Sequence, residues 1–135
     1  MIESADEFQR LRESGDPEDY RRAAHESAPL EVWRAVVARL PELREWVAHN
    51  KTVPDEILAE LAGDPDPKVR ATVAAKRKLA PALQLRLAGD PDEGVRHRLA
   101  WNARATRAAI ERLAADPWPV VAEHARARLA ARQYV

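Results

Sequence analysis

One phrase that returns at a fixed interval limits what this chain can fold into more than any other feature. Leu61-Ala62-Gly63-Asp64-Pro65-Asp66 comes back as Leu87-Ala88-Gly89-Asp90-Pro91-Asp92, and again as Leu113-Ala114-Ala115-Asp116-Pro117-Trp118, each step 26 residues on. A constant period of roughly 20 to 50 residues marks repeats that stack because no single copy can bury its own apolar face. Equivalent positions then form apolar ladders: Leu61, Leu87 and Leu113; Val69, Val95 and Val121; Val73, Leu99 and Ala125. No useful run of alternating apolar and polar residues appears, so no sheet is expected.

The punctuation agrees with the period. All ten prolines stand at or just before a predicted helix start, where the missing N–H costs nothing. Pro54 to Ala62, Pro81 to Ala88 and Thr106 to Ala114 read as the first helix of each copy, and segments opening at Asp66, Asp92 and around Trp118 as the second. Gly63 and Gly89 are expected to end helices in the left-handed conformation. Upstream, Pro41 to Asn50 keeps the register, with Leu43 meeting Val69 and Val47 meeting Val73. Ser4-Ala5-Asp6-Glu7 has the form of a capping box, and Asp16-Pro17 opens a further helix. Trp33 and Trp46 fall at helical spacing and read as core.

The expected fold is all-α: an α-solenoid of two-helix repeats of about 26 residues, with terminal capping helices. It reads as a single domain over residues 1–135, with a divergent repeat and cap over 1–40, clear repeats over 41–115 and a capping repeat over 116–135. The 27 alanines, against one Phe, fit short helices packed closely.

Composition removes several kinds of chemistry. The chain has no Cys, which excludes disulfides, thiolate metal sites and cysteine nucleophiles. The four histidines have no spacing that puts two on one helical turn, and neither a nucleophile elbow nor a phosphate-binding glycine loop is present. No cofactor, metal site or catalytic residue is expected, so the chain reads as a non-enzyme. Its acidic start is unlike a leader, and no run reaches membrane-spanning length; the expected location is the cytoplasm, with no membrane partner. Oligomeric state does not follow from the sequence.

The segment Leu61 to Ala75, with its Asp-Pro followed by Val-Arg, resembles the leucine-rich repeat variant family and also HEAT repeats. The resemblance covers residues 41–129 well. It implies a right-handed α-solenoid whose second helix is α or 3₁₀, and a role in interaction with no catalytic residues to carry over.

Net charge is zero, yet residues 1–66 hold 8 Lys+Arg against 16 Asp+Glu while residues 67–135 hold 14 against 6. The basic half points to an anionic partner. Lys51, Lys76, Arg77, Lys78, Arg104 and Arg107 follow the second helix of successive copies, and a solenoid aligns such positions along one edge, near Trp101. These residues are the candidate partner site. The leading reading is an adaptor or inhibitor for an acidic protein, and the alternative is a nucleic-acid binder that grips the phosphate backbone. A second set is structural: if each Arg reaches the Asp of the next copy, Arg44 meets Asp64, Arg70 meets Asp90 and Arg96 meets Asp116, each Asp also capping its own helix.

Overall fold

The computed structural model describes residues 1–135 and contains ten α-helices, one short 3₁₀ turn and no strand. The chain divides into two compact units, Met1–Leu61 and Ala62–Val135.

The first unit holds α1 (Ala5–Glu13), α2 (Pro17–His25), α3 (Leu30–Arg39), the 3₁₀ turn Pro41–Leu43 running into α4 (Arg44–His49), and α5 (Asp55–Leu61). Helix α1 starts where Ser4 Oγ accepts from the Glu7 N–H, while Glu7 reaches back to the Glu3 N–H. It stops at Gly15, whose φ of 76° is the left-handed region that favours glycine. Asp16 caps α2 by accepting from the Glu18 N–H. Phe8 and Trp33 meet edge to face, 5.4 Å between ring centroids, and form the centre of this core with Ile2, Leu11, Val36, Val47 and Ile57. Helix α1 packs on α2 and α3, α3 on α4, and α4 on α5.

The second unit holds α6 (Pro67–Ala74), α7 (Pro81–Ala88), α8 (Glu93–Ala100), α9 (Arg107–Leu113) and α10 (Pro119–Ala130). Helix α6 packs on α8, α8 on α10, and α7 on α9, so each helix lies against its counterpart from the following copy of the repeated phrase. Leu87, Leu113, Val69, Val95, Val121, Val73, Leu99 and Ala125 are all buried. At roughly 25 cal/mol per Å² of apolar surface, each fully covered Leu or Val contributes about 1.5–3 kcal/mol to holding the copies together.

The structure corrects three local expectations. Gly63 and Gly89 are not left-handed, since Gly15 is the glycine with positive φ. Gly89 instead lies under Arg112, whose guanidinium crosses it to donate to the Leu85 carbonyl and would have to shift to admit a Cβ. Asp64, Asp90 and Asp116 do not cap the following helices. Each bridges its turn by accepting from the N–H two residues on, at Asp66, Asp92 and Trp118. The caps of α6 and α8 are Asp66 and Asp92, with Oδ1 accepting from Lys68 and Val95. Lastly, Trp33 is core but Trp46 is only partly buried, lying under the Arg12 guanidinium.

Candidate interaction surfaces

In the second unit two sets of side-chain hydrogen bonds tie successive copies together, and between them they place the candidate site. The first set is built from charged pairs. Arg70 donates from Nε and Nη2 to the Asp90 carboxylate at 2.9 and 3.2 Å, and from Nη1 to the Asp64 carbonyl at 2.7 Å. Arg96 repeats the pattern toward Asp116, at 2.7 and 3.3 Å, and toward the Asp90 carbonyl at 2.7 Å. Only 13% of either Arg side chain and 5% or less of either Asp is exposed. Hydrogen bonding to Asp90 pushes the Arg70 pKa up. Arg44 and Asp64 fall in different units; within its own unit Arg44 donates from Nε to the Val37 carbonyl at 2.8 Å.

Sequence reasoning missed the second set. Buried Asn102 donates from Nδ2 to the carbonyls of Ala74 and Lys76 at 2.8 and 2.9 Å, and its Oδ1 accepts from the Arg104 N–H. One copy further on, buried Arg128 donates from Nη1 to the carbonyls of Ala100 and Asn102, both at 2.8 Å. In the first unit Asn50 does the same to Ala23 and Glu26, at 2.8 and 3.0 Å. The signal was present: positions 50, 76, 102 and 128 step by 26 and read Asn, Lys, Asn, Arg, all side chains that donate from nitrogen.

These bonds set the turns that carry the candidate cations. Because Asn102 clamps the Lys76 carbonyl, the turn holding Arg77 and Lys78 lies beside the turn holding Arg104, and all three side chains are exposed. Lys76 is partly buried and stands at the repeat position of the inward donors. Arg107 is exposed but engaged, donating to Glu111 at 2.7 Å and lying over the Tyr134 ring. Lys51 belongs to the first unit, where it is exposed and its N–H donates to the Ala24 carbonyl.

Trp101 ends α8 on the same turn as Asn102 and is 61% exposed. It is nonetheless fixed. Its ring stacks on His124 at 3.8 Å between centroids, 10° from parallel, and its Nε1 donates to His97 Nε2 at 3.0 Å. His97 in turn meets Trp118 at 5.6 Å. Burial, then the neighbouring charges of Arg128 and His97, push the His124 pKa down, which favours the neutral ring that stacks on Trp101.

Residues 41–66 match the leucine rich repeat variant family. This is a HEAT-like family of helical repeats, and the matched stretch begins at Pro41 and ends at the first Asp-Pro-Asp. No curated protein and no solved structure matches the chain. No helix is long and apolar enough to cross a membrane.

Proposed function

We propose that the protein is a non-catalytic interaction scaffold, an adaptor or inhibitor that takes an acidic protein partner on the turns of its second unit. The same reading takes the copies in that unit as a right-handed α-solenoid with a repeat of about 26 residues. Trp101 carries the proposal. A large apolar side chain that stays exposed while two neighbours hold its ring in place has little conformational entropy left to lose on binding, which is the property of an interface anchor. Arg77, Lys78 and Arg104 add exposed cations on the two turns that Asn102, the next residue in the chain, ties together, and such cations speed encounter with an acidic surface and reject a basic one. The repeat family supports a scaffold role and brings no catalytic residues with it.

A second reading rests on the charge of this unit, which has 14 Lys+Arg against 8 Asp+Glu over residues 62–135. A stacked Trp beside basic turns also fits single-stranded nucleic acid. Affinity capture from cell extract on the full chain, with and without nuclease, separates the two. A partner retained after nuclease treatment and lost from Trp101→Ala and from the triple variant Arg77→Glu, Lys78→Glu, Arg104→Glu supports the scaffold. Loss on nuclease treatment, with affinity that falls steeply with salt, supports nucleic acid. Equal recovery by native and variant chains places the binding surface elsewhere.

A further inference from the structure

The first unit contains a cleft of about 360 Å³ between α1, α2 and α4, and its lining has cations and aromatic rings but no carboxylate. At its heart is Arg12. The guanidinium carbon lies 3.7 Å from the centroid of the Trp46 ring and 4.7 Å from that of Tyr20, so rings hold it where other arginines of this chain have carboxylates or carbonyls. Its Nε–H is buried and has no hydrogen-bond partner. No acidic group offsets its charge, and burial pushes its pKa down. A buried N–H donor left without an acceptor is costly unless something completes the group.

Cation–π contact engages the faces of a guanidinium and leaves its N–H groups, which lie in the plane of the group, for another partner. His25 and His49, the latter stacked on Trp46 at 5.6 Å, add to the wall ring nitrogens that can hydrogen-bond. Arg21 also lines the cleft, but its charge is met by Glu18 at 3.1 Å. One uncompensated cation therefore faces the cavity. The volume exceeds what a bare carboxylate fills and lies within the usual range of small-ligand sites.

We propose that this cleft binds a small monocarboxylate with a planar apolar body, the carboxylate forked onto the Arg12 guanidinium and the body lying among Trp46, Tyr20 and the imidazoles. The site is independent of the Trp101 surface and lies wholly in the first unit. A single unmatched positive charge selects a monoanion over a multiply charged phosphate, and the planar fork selects a carboxylate over a halide.

The test is calorimetric titration of the full chain with benzoate, benzamide and inorganic phosphate, repeated on Arg12→Met and Arg12→Lys. Met keeps an apolar stem between the rings and removes every donor; Lys keeps the charge and removes the fork. Saturable benzoate binding is expected, with affinity at least about tenfold lower for neutral benzamide and for Arg12→Met, and intermediate for Arg12→Lys. In the native chain benzoate should also move the NMR resonance of the Arg12 Nε–H and leave that of Arg70 in place, a readout that does not depend on any variant folding. Absence of saturable benzoate binding, equal binding of benzamide, tighter binding of phosphate, or an unmoved Arg12 resonance would each overturn the proposal.

Discussion

The two units use the same backbone device and treat their arginines differently. Asn50 in the first and Asn102 in the second each clamp two carbonyls of the preceding helix end and accept from the N–H two residues on. In the second unit, Arg70 and Arg96 are largely buried and each meets a carboxylate supplied by the next copy of the repeated phrase. The ion pairs of the first unit are more open to solvent: Arg34 to Glu60 leaves 48% and 43% of the side chains exposed, and Arg39 to Asp6 leaves 62% and 82%. Arg12, half-buried, lies against two rings. Where the repeated phrase carries Val-Arg, the Arg meets the Asp of the next copy at a fixed spacing. Arg12 and Arg128 lie outside that phrase: rings flank the first, and carbonyls accept from the second.

The largest effect is expected at Arg128, whose guanidinium is buried and bonded to three carbonyls, those of Ala100, Asn102 and Gln133. Arg128→Ala leaves a void and strips those acceptors, and denaturant unfolding should show a loss of about 3–5 kcal/mol. Next comes Arg70→Ala, which leaves the Asp90 carboxylate buried and without its fork; a loss of about 1–3 kcal/mol is expected by the same measurement. Arg34→Ala removes an exposed pair and should cost less than about 1 kcal/mol. A cost at Arg34 equal to that at Arg70 would erase the contrast between the units.

The smallest effects are in pH dependence. The folded state holds the His124 pKa below its ordinary value, so the unfolded chain takes up that proton first. Stability should be full above the unfolded value and fall as pH drops from there through the folded value, then level off. His124→Gln should flatten that step in a melting-temperature series. Glu26 works on the carboxylate range: hydrogen bonds from Arg22 and from the Met1 amino group hold its pKa at about 2. Its contribution is present above the unfolded value and is lost as pH falls toward about 2, a step that Glu26→Gln should remove.

Much of the helical layout was legible because period and punctuation are local signals. Pro67, Pro81 and Pro119 open α6, α7 and α10 at the first helical position, and the apolar ladders of the second unit fill its core. The 26-residue step also makes 20 the one regular spacing from Arg70 and Arg96 to an Asp of the next copy, and the structure holds both pairs within 3 Å at Nε. What was not legible depended on contacts that the repeat does not encode. Gly89 lies under the guanidinium of Arg112, a side chain 23 residues away, and nothing in its own neighbourhood says so. The donors at 50, 102 and 128 change residue type from copy to copy, so a search for identical phrases passes over them. Trp46 lies under Arg12, from a helix outside the clear repeats. The Arg12 cleft joins α1 and α2 of the divergent region to α4, a contact that the period does not encode.

If largely buried charge pairs couple successive copies in the second unit, a double-mutant cycle on Arg70→Met and Asp90→Asn will show it. Denaturant unfolding of the native chain, the two single variants and the double variant isolates the pair from the rest of each side chain's contacts. A coupling of about 1–3 kcal/mol is expected, with a much smaller one for the same cycle on Arg34 and Glu60. A coupling near zero for Arg70 and Asp90, or one no larger than that of the exposed pair, would contradict it.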